Sequence, residues 1–293
     1  RRSENKTQLW PILRKKQRYI PRREYRVQNN RSGILEKGSG LSGGYNLEKT
    51  IGLTFDVEDW FQVENLREKF PPTVWADCES RVENNTKKIL TLLDKYNIKS
   101  TFFILGWIAE RFPDLVREIS SKGHEIASHG YGHIINYQLS NDEIFEDIKK
   151  SKKILEAITG LEVKGYRAPN FSITDNIMTT LQELGFQYDS SYHPFSKNKR
   201  YGQIEMEKKG YFYRKNEMIE IPLSVLKNNL VEIPIGGGGY FRLYPFTLFK
   251  QLSNSYFKEQ AYLIMYFHPW EFDPKQPKVK DIRFSYRFRH YVG

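Results

Sequence analysis

The sequence predicts an α/β fold built on a parallel sheet, on three observations. Short apolar runs rich in β-branched and aromatic residues suit buried strands. Between them lie stretches with helical spacing, so strands and helices alternate as in βαβ units. Asp56, His129, Arg167, Asp189 and His268 each sit just past the end of such a run. In barrel-like α/β folds the C-terminal strand ends converge on one face, where active sites are built.

The elements follow in order. Ile51 to Phe55 is a strand that ends in Asp56, Glu58 and Asp59, three carboxylates that are costly to bury unless paired or bound to a cation. Arg81 to Asn97 reads as a helix with Ile89, Leu92, Leu93 and Tyr96 on its buried face. Ser100 to Leu105 is the next strand, and Trp107 to Ser121 a helix ended by Gly123. The strand His124 to Ser128 runs into His129-Gly130-Tyr131-Gly132-His133. Ser140 to Glu143 is a capping-box pattern for a helix reaching Gly160. Val163 to Tyr166 is a strand that delivers Arg167. A helix from Thr174 closes at Gly185, and Phe186 to Tyr188 leads into Asp189. Ile219 to Val225 and Ala261 to Phe267 are the last strands, with a tight glycine loop, Gly236 to Gly239, and a helical Pro245 to Tyr256 between them. The glycine loop lacks the phosphate-loop pattern and is expected to let backbone approach the substrate groove. Phe288 to Gly293 reads as strand or loop without a closing helix.

Charge divides the chain. Of the net +11 over 293 residues, +8 falls in residues 1–48, which hold 12 Lys+Arg and 4 Asp+Glu. That stretch has no sustained apolar period and ends in a Gly/Ser-rich segment, so it reads as a disordered basic arm and linker ahead of a catalytic domain over residues 49–293. A basic excess that lies mostly in the arm argues against a nucleic-acid binder and leaves, at most, a weak contact with an anionic surface. The single cysteine, Cys78, excludes an intramolecular disulfide and fits a reducing compartment. No apolar run approaches the ~20 residues of a membrane span. The location is therefore read as cytoplasmic or left open, because the chain begins at Arg1 rather than Met.

The chemistry-bearing residues make a coherent set. His129 and His133 are four apart with glycines between, and carboxylates are at hand at positions 56, 58 and 59. Two histidines and a carboxylate with one open position is a standard catalytic zinc arrangement. A nearby carboxylate can take a proton from water, Arg167 can hold that base, and His268 can protonate a leaving amine. The bland readings are a solvated strand end, a surface salt bridge and a packed histidine. Each is reasonable alone; together they fit less well.

The set TFDVED, SHGYGH, RAPNF, YDSS and FHPWEFDP resembles the ordered motifs of the polysaccharide deacetylases (NodB-homology, carbohydrate esterase family 4). DVEDWF, RYG, EIPLS, GGGGYFR, HPWEFDP and FRHYV look like the subfamily encoded with exosortase and exopolysaccharide loci. The resemblance runs from Ile51 to Gly293. It implies a deformed (β/α) barrel and metal-dependent hydrolysis of an N-acetyl, less often O-acetyl, group on a sugar. It further implies Asp56 as general base, Arg167 as the residue orienting it, and His129 and His133 as metal ligands. His268 would be the acid, Asp189 the carboxylate tuning it, and Phe171 an aromatic at the groove. The commoner pattern has adjacent aspartates; here Val57 intervenes, so the third ligand is expected to be Glu58, with Asp59 as the alternative. The cofactor expected is a divalent metal, Zn²⁺ ahead of Co²⁺ or Ni²⁺. Trp60, Tyr240 and Trp270 are read as sugar-stacking platforms or packing residues. Hydrolysis of a small non-sugar amide, and a glycan-binding protein without activity, are the competing functions.

Overall fold

The structure is a computed structural model that describes residues 49–198, 200–209, 212–215, 217–227, 231–280 and 282–291. The basic arm expected over residues 1–48 lies outside the described residues. Strands β1 (Thr50–Val57), β2 (Thr101–Ile104), β3 (Glu125–Ser128), β4 (Gly165–Tyr166) and β5 (Tyr188–Asp189) are joined by a hairpin series, β6 (Glu207–Lys209), β7 (Phe212–Lys215) and β8 (Met218–Glu220). With β11 (Tyr262–Phe267) they form one sheet in the order β11-β1-β2-β3-β4-β5-β8-β7-β6. It is parallel from β11 to β8 and antiparallel from β8 to β6. A separate hairpin, β9 (Val225–Lys227) with β10 (Glu232–Pro234), leads back toward β11. There Gly237 forms a parallel bridge to Tyr266, and the Tyr266 N–H donates to Gly236 O at 2.8 Å. This is the deformed (β/α) barrel that was expected.

Strand alternation sorts the side chains into two layers. Phe55 and Val57 of β1, Phe102 and Ile104 of β2, and Ile126 of β3 pack outward into the main core against the helices. The residues between them face inward, where Phe103, Ala127, Tyr188, Ile221, Leu223, Ile264 and Tyr266 fill the barrel. At the C-terminal rim this same inward parity belongs to Asp56, Glu58, His129, Arg167 and His268. A one-residue slip of any of these strands would send its functional side chain into the helix layer.

The helices are α1 (Val82–Lys95), α2 (Gly106–Arg111), α3 (Pro113–Ser121), α4 (Asn141–Thr159), α5 (Asp175–Glu183), α6 (Gly238–Leu243), α7 (Phe246–Tyr256) and α8 (Phe284–Tyr291). The predicted capping box holds: Ser140 Oγ accepts from Glu143 N–H, and Glu143 Oε2 accepts from Ser140 N–H at 2.8 Å. Gly160 closes α4 at φ +67°, a conformation that favours glycine. Among the described residues, no helix is long and apolar enough to cross a membrane.

Several expectations are corrected. The helix drawn from Trp107 to Ser121 is two, because Pro113 cannot donate a backbone bond and takes the first turn of α3. The strand drawn from Ile219 to Val225 breaks around Pro222 into β8 and β9 for the same reason. On α1 the buried face is Val82, Thr86, Ile89, Leu90 and Leu93, whereas Leu92 and Tyr96 are 47% and 60% exposed. In the C-terminal segment read as strand or loop, the described residues Phe288 to Tyr291 are helical and belong to α8. The glycine run is not a tight loop throughout: Gly236 and Gly237 lie against β11, and α6 begins at Gly238.

Candidate active site

Asp56 lies at the end of β1 with its side chain only 2% exposed, beside an Arg167 that is fully buried. Arg167 Nη1 donates to Asp56 Oδ1 at 2.6 Å and to Thr54 Oγ1 at 2.9 Å. Its Nε donates to Ser190 O at 2.8 Å and Nη2 to Ser190 Oγ at 3.0 Å. The guanidinium also stands 4.0 Å over the Phe103 ring. Every edge of this cation is therefore held, which fixes the Asp56 carboxylate it pairs with.

Glu58, two residues on and on the same inward face, meets His129 and His133; one ligand atom from each falls within 4.8 Å of the others. His129 Nδ1 donates to Arg167 O at 2.7 Å, which directs the Nε2 lone pair into the cluster. Burial lowers the pKa of His129 to about 4, so the ring is neutral and able to ligate at pH 7. Burial pushes the Glu58 carboxyl upward, but His133, His268 and His129 override this and hold it well below the usual carboxylate range. His133 Nε2 is 2.7 Å from Glu58 Oε2, yet that buried oxygen has no hydrogen-bond partner. A buried, ionised oxygen without a donor, facing two imidazole nitrogens, fits a divalent cation. His133 holds its place at φ +50°, in a loop whose Tyr131 and Gly132 N–H groups donate to Asp147 at 2.7 and 2.9 Å. At Gly130, φ +73°, a Cβ would come within 2.8 Å of that carboxylate. The glycines of the H-G-Y-G-H segment thus let Asp147 of α4 pin the loop.

His268 completes the group. Its Nε2 is 4.0 Å from Asp56 Oδ2 and 3.7 Å from Glu58 Oε1, and its side chain, 19% exposed, is the most accessible of the set. Burial opposes a charge on it, but Glu271, Glu58 and Asp56 outweigh this and raise its pKa to about 9. The carboxylate on its Nδ1 side, 3.4 Å away, is Glu271.

Other expected residues lie elsewhere. Asp59 turns away from the cluster, accepting from Trp60 N–H, Ser80 Oγ, Arg81 N–H and Val82 N–H at 2.6 to 3.1 Å. Between Glu58 and Asp59, the geometry favours Glu58. Asp189, expected to tune His268, instead accepts from Ser191 N–H at 2.9 Å and Ser191 Oγ at 2.7 Å. Burial raises its pKa, as it does that of its buried neighbour Glu220 on β8, where the adjacent Asp189 carboxyl adds to the effect. Phe171, Trp60 and Trp270 are each under 9% exposed, so none offers an open ring face to a sugar. Phe171 packs edge-on to Tyr266, and Trp60 edge-on to Phe70. Trp270 is sandwiched between His268 and His290, with its Nε1–H donating to Glu58 Oε1 at 3.1 Å. Tyr240, half-buried and stacked on Tyr244, keeps some open surface.

Thr54, Ser190, Glu271 and His290 were missed. Thr54 was findable as the inward neighbour of Asp56 by strand parity, and Glu271 as the acid three residues after His268. The contacts of Ser190 and His290 had no local signal.

The sequence profile described as polysaccharide deacetylase matches residues 44–188, and one described as a domain of unknown function (DUF3473) matches residues 190–293. A peptidoglycan-N-acetylglucosamine deacetylase of Bacillus cereus is 38% identical over 101 residues, 34% of this chain and 37% of that protein. A second protein of that description from Bacillus cereus is 33% identical over 138 residues, 42% and 63% of the two chains. The chain thus spans less than two thirds of the length of either relative. The crystal structure of a candidate polysaccharide deacetylase from Mycobacterium smegmatis shares the fold, with a TM-score of 0.56 at 21% identity, over 88% of this chain and 87% of that one.

Proposed function

Residues 44–188 belong to the polysaccharide deacetylase family, and from that membership we propose that the protein is a metal-dependent hydrolase removing acetyl groups, N-acetyl first, from a glycan polymer or oligomer. The observation that carries the reading is the meeting of an Arg167-held Asp56, the Glu58–His129–His133 cluster and His268 at one rim of the barrel. The activity named for the two Bacillus cereus relatives supports the same chemistry.

In this reading Glu58, His129 and His133 hold a divalent cation, and zinc is the metal that two imidazoles and a carboxylate suit best. When bound, the cation supplies Lewis acidity toward a water and the acetyl oxygen. Asp56 accepts the proton of the attacking water, with Arg167 keeping the carboxylate aimed. The water oxygen bonds to the acetyl carbon, the C–N bond breaks, and His268 delivers a proton to the departing amine. Acetate and a free amino sugar result. Tyr240 is the half-exposed aromatic available to line the groove. Trp60, Trp270 and Phe171 act instead as supports.

The test is acetate release from a panel of N-acetylated glycans and small amides, with and without added Zn²⁺. Asp56→Asn is expected to abolish turnover, a loss on the order of 100-fold or more for a general base, while leaving bound metal unchanged. Full activity in that variant would refute the assignment. Turnover of small cyclic amides alone would replace the glycan with a non-sugar substrate.

A further inference from the structure

The contacts around His268 lead past the residues assigned so far. Glu271 lies on the 3₁₀ turn Pro269–Phe272, and its carboxylate is buried at 3% exposure. Glu271 Oε2 accepts from the His268 backbone N–H at 2.9 Å and stands 3.4 Å from His268 Nδ1, a buried nitrogen that makes no hydrogen bond of its own and has this carboxylate as its ion-pair neighbour. Its other oxygen accepts from Arg242 Nη2 at 3.0 Å. Arg242 is on α6 and reaches back to Gly238 O through Nε at 3.4 Å. At Gly238 a Cβ would fall 2.1 Å from Glu271 Oε2 and 2.7 Å from Phe267 Cδ1. Here glycine is needed for space: any side chain would push the carboxylate off the imidazole.

We propose that Glu271, held by Arg242 and admitted by Gly238, is the positioning carboxylate of His268. An imidazole that must present one nitrogen to a leaving group needs its other nitrogen fixed, and a buried carboxylate on that side sets ring orientation and tautomer. Asp189 cannot serve, since its oxygens are engaged by Ser191 and Glu220. The second imidazole contact, the stacked Trp270 at 4.9 Å, fixes the plane of the ring but not its rotation within that plane. Glu271 supplies the missing constraint. All of these groups, His268, Glu271, Arg242, Gly238 and Trp270, come from residues 190–293. The region described as of unknown function therefore furnishes the acid side of the centre, and the glycine run gains a purpose tied to the chemistry.

The inference rests on the deacetylase reading only for what His268 does, and the experiment separates the two. Glu271→Gln retains the side-chain size that Gly238 admits and removes the charge. Its hydrolysis of an N-acetyl amide, which needs a protonated leaving amine, is compared with that of an aryl acetate, whose phenolate leaves unaided. The expected result is a fall in kcat for the amide of about 100-fold, the worth of a general acid, with KM within twofold, metal content unchanged and the aryl acetate rate retained. Arg242→Gln, which leaves the carboxylate but loosens it, is expected to show a smaller loss with the same amide selectivity. Equal losses on both substrates would mean a purely structural role and overturn the proposal. Undiminished amide hydrolysis in Glu271→Gln would overturn it too. A readout without turnover is the ¹⁵N spectrum of metal-free protein: the Nδ1 resonance of His268 should move in Glu271→Gln, which removes the charge beside it. An unmoved resonance would refute the positioning even in a protein that hydrolyses nothing.

Discussion

Arg167 shows how a single side chain ties the candidate site to stability. It is fully buried, and Asp56 is nearly so, and the two are joined at 2.6 Å. Removing one partner of such a pair strands a charge away from water. Arg167→Met should therefore lower unfolding free energy by about 3–5 kcal/mol, read from the midpoint of urea denaturation. The double variant Arg167→Met/Asp56→Leu should recover much of that loss, because neither charge remains. A double variant as unstable as the single one would locate the cost in lost packing on Phe103. At this scale the sequence was most legible where strand parity and chemical type coincided, as for Asp56, Glu58, His129, His133, Arg167 and His268. It was least legible where a role depends on which neighbour the fold supplies. Asp189 and Glu271 are both acids near a strand end. Only the packing of β5 beside β8, and of α6 beside the turn after β11, decides which one faces the imidazole.

Among the elements, α4 carries the loop of the candidate ligands His129 and His133 through Asp147, and its start is secured by the Ser140–Glu143 capping box. Ser140→Ala removes the acceptor for one otherwise unsatisfied helix N–H and should cost about 1 kcal/mol, measured by the same denaturant midpoint. Activity should fall no further than stability does, since the cap lies about two turns of helix before Asp147. A selective loss of turnover would mean that the cap governs the histidine loop. Elements announced by local signals were read well from sequence: the cap at Ser140, the glycine at 160 and the apolar run of β11. Those set by a proline or by tertiary burial were not. Pro113 and Pro222 each divided a run whose apolar pattern looked continuous, and α1 rotated its buried face toward Val82 and Leu90 because its partners are the sheet and the turn after β11. Helix α8 has alternating aromatic and basic residues, a pattern that reads as strand, and is helical where His290 stacks on Trp270 and Tyr291 bonds Pro277 and Val279.

For the whole molecule, the two regions matched by separate profiles share one sheet. Strand β11 pairs with β1 in parallel along six residues, Thr50↔Tyr262 to Phe55↔Phe267, and Thr54 Oγ1 donates to Met265 O. Cutting the chain at 189 would strip β1 of a neighbour on one side and expose an apolar strand edge. A fragment of residues 49–189 should fail to give a dispersed amide spectrum and should aggregate, whereas co-expression with residues 190–291 should restore both. A well-folded, monomeric 49–189 fragment would show that the sheet does not need its last strand. The pairing of β1 with β11 also bears on how the protein comes into being. The proposed base, Asp56, is on β1 and the proposed acid, His268, follows β11, so no ribosome-bound intermediate lacking β11 can hold both. At synthesis rates of about 5–20 residues per second, the nascent chain must keep the edge of β1 shielded for many seconds before its partner emerges. Parallel pairings between such distant segments form slowly. Under the proposed function, hydrolysis therefore cannot begin on a nascent chain until β11 and His268 have been made.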